Sequence, residues 1–118
     1  MFNFEKLEVW QKAIDFADMV YTVTKSFPDD ERWGLTSQMR RAAVSISSNI
    51  AEGTSRHSRD DYARFIEIAT GSVFEIVSQS ILAKRQGFLT EDELKAIYSA
   101  AEVQSKMLSG LRRSLGVN

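Results

Sequence analysis

The sequence contains no cysteine, one proline, six glycines and one histidine among its 118 residues. The absence of cysteine excludes disulfides, thiolate metal sites and thiol nucleophiles. So few turn residues argue against an all-β protein, which needs many of them. No apolar run approaches the roughly 20 residues of a membrane-spanning helix, and the opening MFNFEKLEVW lacks the pattern of a signal peptide. We therefore expect a cytoplasmic protein with one domain over residues 1–118 and no membrane partner.

The charges of the chain are nearly balanced, with a formal net charge of −1. The chain as a whole therefore has no long-range attraction to nucleic acid or to an anionic membrane. The distribution along the sequence is uneven, because residues 32–64 hold three acidic and six basic residues. The middle third of the chain is therefore basic, and it is the part that can form a local basic surface.

Apolar residues at helical spacing predict four helices. The first, over about residues 4–26, is followed by the turn FPDDERWG, in which Pro28 disfavours a helical conformation for Phe27. We predict Thr36 as the N-cap of the second helix and Gly53 as its C-terminal stop. This second helix contains the stretch RRAAVSISSNIAEG, whose polar positions are mostly serine and asparagine instead of lysine and glutamate.

The third and fourth helices have clear predicted starts. Ser58 in the motif SRDD can cap the third helix, which we expect to end near Gly87. In the motif LTEDEL, Thr90 and Glu93 form a predicted capping box for the fourth helix. The linkers are short enough only for antiparallel neighbours. The sequence therefore predicts an all-α fold, an antiparallel up-down-up-down four-helix bundle.

Small side chains on the second helix predict close packing between helices. Ala43 and Ser47 lie on a stripe with little bulk, which lets a neighbouring backbone approach. Gly71 and Ser72 give the third helix the same character, and a glycine inside a helix costs up to ~1 kcal/mol relative to alanine. One interpretation is packing of the second and third helices within the chain, and the other is packing on a second subunit.

The first helix carries two neighbouring apolar stripes, which together form an arc wider than one partner helix covers. The first stripe consists of Leu7, Trp10, Ile14, Ala17 and Tyr21, and the second of Val9, Ala13, Phe16, Val20, Val23 and Phe27. A small bundle should not leave that much apolar surface in water, so we predict a homo-oligomer. Arg40 and Arg41 border the small-residue stripe and suit salt bridges between subunits. The predicted subunit interface consists of Val9, Phe16, Val23, Arg40, Arg41, Ala43 and Ser47.

Few residues in the sequence suit catalysis. His57, the only histidine, lies in a polar linker, where a solvated role is favoured over general-base catalysis. Glu67 and Glu75 lie close to one face of the third helix, but at least one of them should bond an arginine or a helix end. Glu75 is a candidate partner of Arg41 or Asn49. With no Glu-x-x-His pair, phosphate-binding glycine loop or serine triad, we predict no enzyme activity, no metal site and no cofactor.

Arginines near one end of the predicted bundle are the candidates for nucleic-acid binding. The topology brings together the end of the second helix, the start of the third and the end of the fourth. Glu52, Asp60 and Asp61 lie there too, so a mixed, solvated surface is the alternative for a monomer. Several copies in a ring would strengthen the field and favour sequence-nonspecific phosphate binding. The candidates are Arg56, Arg59, Arg64, Arg112 and Arg113.

Three stretches of the chain, LEVWQKA, FPDDERWGLTSQMRRAAVSISSNIAEG and FIEIATGSVFE, carry a resemblance to a known family. In these stretches the chain resembles the four-helix-bundle proteins called 23S rRNA intervening-sequence proteins, over almost its full length. Ser47 departs from the family pattern, which often has proline there, so a kink of that helix is expected to be weaker. The matching residues are Gln38, Arg40, Arg41, Ala42, Ser45, Ile46, Asn49, Ile50, Ala51, Glu52, Gly53, Arg56, Gly71, Ser72 and Glu75.

The resemblance implies a closed homo-oligomeric ring of identical bundles, with five as the expected number. It also implies a link to RNA or to an RNA-handling partner, through the family name and through the similar accessory protein of diversity-generating retroelements. It carries over no catalytic residue. Two functions therefore stay open, an oligomeric ring that binds RNA non-specifically through arginines, and a structural or adaptor oligomer that binds another protein without nucleic-acid contact.

Overall fold

The computed structural model of the chain describes residues 1–118 and contains helices but no β-strand. Its four long helices are α1 (Glu8–Thr24), α2 (Leu35–Thr54), α3 (Arg59–Arg85) and α4 (Glu91–Ser114). Short 3₁₀ turns cover Asn3–Lys6 and Asp29–Glu31. Each long helix packs against two neighbours, in the cyclic order α1, α2, α3, α4, and the two diagonal pairs make no contact. The all-helical fold and the four-helix arrangement agree with the sequence prediction.

The bundle is elongated, with principal extents of 43 × 22 × 22 Å. The long axis matches the 27 residues of α3, which at about 1.5 Å per residue span about 40 Å. One cluster of 20 buried apolar residues runs between the four helices. Residues separated by the length of a helix therefore lie at opposite ends of the molecule.

The predicted starts of α3 and α4 are confirmed by their hydrogen bonds. The Ser58 hydroxyl accepts a hydrogen bond from the backbone N–H of Asp61 at 3.0 Å. At α4, the Thr90 hydroxyl accepts from the Glu93 N–H at 3.1 Å, and the Glu93 carboxylate accepts from the Thr90 N–H at 2.9 Å. This reciprocal pair satisfies two backbone donors that a helix start leaves without partners.

The start of α2 differs from the prediction. The helix begins at Leu35 and its N-cap is Gly34, so the assignment of Thr36 as the N-cap is wrong. The Glu31 carboxylate, from the preceding 3₁₀ turn, accepts the Leu35 N–H at 3.0 Å. A Cβ atom at Gly34 would lie 2.7 Å from this carboxylate, so a larger residue here would push the Glu31 side chain away from the helix start.

The two glycines that were expected to end helices have different roles. Gly87 has φ +83° and follows α3, with the Phe88 N–H bonded to the Ala83 carbonyl at 2.9 Å and the Gly87 N–H bonded to Lys84 at 3.0 Å. This is a Schellman cap, which needs the left-handed conformation. Gly53, in contrast, lies inside the last turn of α2, which continues to Thr54, so the prediction that Gly53 stops the helix is wrong.

Gly53 is required by packing between α2 and α3. A Cβ atom at this position would approach Cδ1 of Tyr62 to 2.8 Å and Cβ of Phe65 to 3.2 Å. Further along the same contact, the Ser72 hydroxyl donates to the Ser45 hydroxyl at 2.9 Å. The small residues of α2 therefore serve close packing within the chain, which was one of the two interpretations. The same crowding partly buries Tyr62, and this burial raises the pKa of its hydroxyl.

The second apolar stripe of α1 lies inside the bundle. The exposed fractions of Val9, Phe16 and Val23 are 7%, 2% and 9%, and those of Ala43 and Ser47 on α2 are 0% and 7%. We expected these five side chains to be free for another subunit, and this expectation is wrong, because they fill the chain's own core. Their burial follows from the position of α1, which packs on both α2 and α4 along this stripe.

The first stripe of α1 takes the outer position instead. Trp10 is only partly buried, and its outer edge meets the ring of Phe4 from the N-terminal 3₁₀ turn at 5.1 Å between centroids. Tyr21, at the other end of the stripe, is 40% exposed. The Gln104 side chain of α4 is 1% exposed and donates to the Val9 carbonyl at 3.1 Å. This bond fixes the register between α1 and α4.

Candidate functional site

The arginines predicted at one end of the bundle are mostly paired within the chain. The Arg56 guanidinium contacts the Glu52 carboxylate at 2.9 Å and lies 4.4 Å from the centre of the Phe65 ring. Arg64 contacts the Asp61 carboxylate at 2.6 Å. These two arginines line one shallow groove at the start of α3. Their charges are therefore partly cancelled, as the sequence alternative of a mixed surface anticipates.

The remaining arginines at this end differ from one another. Arg112 of α4 donates to the Glu67 carboxylate of α3 at 2.9 Å and is one-third exposed. This pair confirms that at least one of the two glutamates on α3 bonds an arginine. Arg59 and Arg113 are exposed and make no ion pair within the chain. Of the five candidates for nucleic-acid binding, these two have fully available guanidinium groups.

A second arginine cluster, which sequence analysis missed as a binding site, lies where α1 meets the start of α2. It forms a groove of about 490 Å³, and we call it the Arg40 groove. None of its eight lining residues is acidic. They are Tyr21, Arg32, Trp33, Thr36, Ser37, Arg40, Arg41 and Val44.

The guanidinium of Arg40 is fixed in position at the centre of this groove. Its Nε donates to the hydroxyl of Thr24 at 2.9 Å, and its Cζ lies 4.7 Å from the centre of the Tyr21 ring. The Thr24 hydroxyl is 2% exposed and in turn donates to the Val20 carbonyl at 2.8 Å. Arg40 has no carboxylate partner, so its terminal nitrogens remain available to a ligand.

Arg32 and Arg41 extend the positive charge of the Arg40 groove. Neither residue makes an ion pair within the chain, and the Arg32 guanidinium lies 5.7 Å from the centre of the Trp33 ring. Trp33 itself is 84% exposed, although tryptophan is among the costliest side chains to leave in water. The sequence signal for this groove is the pair of dipeptides Arg32–Trp33 and Arg40–Arg41, which lie about two helical turns apart at the start of α2.

The outward face of α3 exposes large apolar side chains among the polar residues Glu67, Glu75 and Ser78. It carries four large side chains that are roughly half exposed or more, whereas the opposite face of the helix fills the core. Between them, Gly71 is exposed, and no atom lies within 4 Å of the position of its missing Cβ. We call this surface the outward α3 face. It consists of Ile68 (47% exposed), Gly71, Phe74 (65%), Ile81 (42%) and Leu82 (48%).

The outward α3 face continues into a groove between α3 and α4. This groove has a volume of about 410 Å³ and includes Phe74, Ile81 and Tyr98 in its lining. By length and composition alone, α3 is also the one helix that could cross a membrane, and one-third of its apolar window is buried. Within the bundle, α3 shares its most extensive contact with α2. The excess apolar surface that was expected on helix one is therefore present, but on α3.

The other residues that were considered for catalysis or metal binding do not come together in the structure. His57 is exposed in the linker between α2 and α3. Glu75 is exposed and bonds neither Arg41 nor Asn49, so this predicted pairing is wrong. The Asn49 amide instead donates to the carbonyl and the hydroxyl of Ser45, at 2.7 and 2.9 Å. No group of three or more acidic or histidine side chains has an arrangement that could hold a metal ion.

Comparison with known proteins supplies the family. The model of the 23S rRNA-intervening sequence protein family matches residues 5–110. Among solved structures, a protein of unknown function from the S23 ribosomal protein family of Bacteroides thetaiotaomicron superposes with a TM-score of 0.79. The two share 22% sequence identity over 88% of this chain and 97% of that chain, a likeness that concerns the fold. No curated protein matches. The match over residues 5–110 shows that the chain belongs to the 23S rRNA-intervening sequence protein family.

Proposed function

We propose that the protein is a non-enzymatic homo-oligomer that binds RNA through arginine side chains. The observation that supports assembly is the outward α3 face. Four large apolar side chains of α3 are roughly half exposed or more in the single chain, although the opposite face of the helix already fills the core. Exposed apolar patches of this kind mark protein interaction sites. A second copy of the chain is the partner that is present wherever the protein is made.

The proposed assembly is a closed ring, and five subunits is the number that the family resemblance favours. A ring joins two different surfaces of each chain, whereas a two-fold dimer joins a surface to itself. The outward α3 face can take part in either geometry. The mass of the assembly, measured against the 13.3 kDa chain, distinguishes the two.

The test of assembly compares two matched substitutions. Ile68 on the outward α3 face and Val103 on α4 are 47% and 49% exposed, so a glutamate at either position has similar access to water within one chain. We expect Ile68→Glu to dissociate the oligomer, because it would bury a charged side chain in the interface. Val103→Glu should leave the mass unchanged. Sedimentation that shows a wild-type monomer at micromolar concentration, or equal behaviour of both variants, would contradict the proposal.

RNA binding is supported by the number of arginines that form no ion pair within the chain. The chain has nine arginines, and only Arg56, Arg64 and Arg112 form ion pairs. A free guanidinium can form two parallel hydrogen bonds with a phosphate. An oligomer repeats each arginine in every subunit, which raises both the local field and the effective concentration of binding groups.

The RNA proposal is tested by titration at two salt concentrations. Phosphate contacts release counterions, so the affinity must fall as salt rises. We expect the double variant Arg59→Ala, Arg113→Ala to bind RNA more weakly than wild type. Arg85→Ala is the matched control, because Arg85 is exposed and unpaired but lies at the opposite end of α3 from Arg59. Binding that is indifferent to salt and to the double variant counts against RNA contact at this end.

The rival function is an adaptor that binds another protein. The apolar groove between α3 and α4 favours it, because Phe74, Ile81 and Tyr98 could receive the apolar face of a partner helix. In that case the protein would still be an oligomer, no RNA complex would form, and a charged substitution in this groove would lose the protein partner without a change in the mass of the oligomer.

A further inference from the structure

The Arg40 groove has the features of a site for a planar group that carries a phosphate. It combines three arginines without carboxylate partners, two exposed aromatic rings and no acidic lining residue. It is an open groove on the surface, with a volume of about 490 Å³. The chain as a whole has a formal net charge of −1, so this concentration of positive charge is a local feature.

The arginine at the centre of the groove is preorganised. Thr24 and Tyr21 hold the Arg40 guanidinium from two sides, so a ligand does not have to pay for ordering a long flexible side chain. Arg41 is exposed next to it in sequence and lines the same groove. Two neighbouring guanidinium groups suit an anion with several oxygens, such as a phosphodiester.

Trp33 provides the aromatic part of the site. At 84% exposed, its indole ring has an open surface beside the arginines. Stacking of a nucleobase on an aromatic side chain contributes about 1–3 kcal/mol and tolerates any sequence. A base in a duplex is already stacked on its neighbours, so this contribution is available mainly to unpaired nucleotides.

We propose that the Arg40 groove binds single-stranded nucleic acid, with a phosphate on Arg40 and Arg41 and a base stacked on Trp33. The inference rests on the proposed function for the choice of nucleic acid as the ligand, but it assigns the contact to a different surface. It also adds a preference for single strands over duplexes.

A protein partner fits the groove less well than a nucleic acid does. Burying three arginines at a protein interface would require several carboxylates placed opposite them, because an unpaired buried charge is costly. A nucleic-acid strand supplies a negative charge at every nucleotide and leaves the solvent-facing side open.

Fluorescence of Trp33 provides a direct test. The chain has two tryptophans, so Trp10→Phe leaves Trp33 as the only reporter. The probes are an oligouridine of about ten nucleotides, a length within the span of known single-strand sites, and an RNA duplex of the same length. We expect the oligouridine to quench Trp33 and to bind more tightly than the duplex. In the original background, anisotropy of the labelled oligouridine should show that Trp33→Ala weakens binding on the order of 10-fold.

Two arginine variants complete the test. Arg40→Ala and the exposed Arg41→Ala should each weaken oligouridine binding, while Arg85→Ala should not. Loss of binding in the double variant Arg59→Ala, Arg113→Ala but not in the groove variants would overturn this inference and leave the proposed function in place. No oligouridine binding by any form of the protein would overturn both. A groove variant that stays helical by circular dichroism but changes the oligomer mass would identify the groove as a subunit contact and overturn the inference.

Discussion

Substitution of two helical glycines by alanine should change stability in opposite directions. Gly53 and Gly71 both lie inside helices and neither has a positive φ. Alanine therefore gains helix propensity at each site, roughly 1 kcal/mol relative to glycine in the interior of a helix and less at Gly53, which lies in the last turn of α2. The main difference between the two sites is what the added methyl group meets. A comparison of the two variants therefore distinguishes the effect of helix propensity on stability from the effect of packing.

At Gly53 the added methyl group has no room. The new Cβ would lie 2.8 Å from Cδ1 of Tyr62 and 3.2 Å from Cβ of Phe65. The Tyr62 ring can shift by rotation, but Cβ of Phe65 is fixed to the backbone, so full relief requires α3 to move away from α2. Overpacking of this kind costs typically 1–3 kcal/mol. After the gain in propensity, we expect Gly53→Ala to lose about 1 kcal/mol of unfolding free energy, and up to about 2.

At Gly71 the added methyl group meets no atom within 4 Å. The propensity gain is therefore unopposed within the single chain, and Gly71→Ala should raise the unfolding free energy by roughly 1 kcal/mol. If the outward α3 face contacts another subunit, the same methyl group would enter that contact. The variant would then be more stable as a monomer and weaker as an oligomer.

Urea denaturation followed by far-ultraviolet circular dichroism measures both effects, with the midpoint and slope giving the free energy. The measurement needs two protein concentrations, because assembly makes apparent stability depend on concentration. Gly110→Ala is the control, since its Cβ would meet only an arginine nitrogen at 3.9 Å on α4. A Gly53→Ala variant more stable than wild type, or a Gly71→Ala variant less stable when monomeric, would refute the reasoning.

Two further predictions concern α3 and α4. Thr90→Ala removes the α4 capping box and should lower the unfolding free energy by about 1 kcal/mol. Thr90→Ser keeps the hydroxyl and should retain most of the wild-type stability. Equal thermal melting of wild type and both variants would contradict this prediction. Burial raises the pKa of Tyr62 above its usual value of 10.0, so the unfolded chain releases this proton at a lower pH than the folded one. The unfolding free energy should therefore fall as pH rises above about 10. Urea titrations should show a smaller fall for Tyr62→Phe, because phenylalanine has no such proton. An identical fall in both proteins would argue against a partly buried hydroxyl.

The fold was predictable because its signals are local. The Thr90 and Glu93 capping box and the Ser58 cap depend on residues three apart, and both were identified before the structure. Gly53 was misassigned because a glycine near a helix end can serve either as a left-handed cap or as a site of close packing, and the sequence does not distinguish the two. Only the position of Tyr62 on the neighbouring helix shows that close packing, and not a left-handed cap, is the reason here.

The choice of buried stripe could not be made from periodicity. Both stripes of α1 are apolar at helical spacing, and the selection depends on how α2 and α4 flank the helix. The N-terminal 3₁₀ turn adds a further constraint, because Phe4 covers the edge of Trp10 on the outer stripe. The contribution of α1 to the Arg40 groove could not be predicted from sequence for a similar reason. Tyr21 and Arg40 are distant in sequence, and they meet only because α1 and α2 are antiparallel.

The two surfaces proposed here lie on different sides of the bundle, so one protein can use both at once. The Arg40 groove lies between α1 and α2, whereas α3 lies diagonally opposite α1 and exposes its large apolar side chains on the outside of the bundle. Assembly through the outward α3 face would therefore present one groove per subunit. A short oligonucleotide fills a single groove and should bind with an affinity that does not depend on assembly. A longer strand can bridge several grooves, and its affinity should fall when Ile68→Glu separates the subunits, because the effective concentration of the second groove is lost.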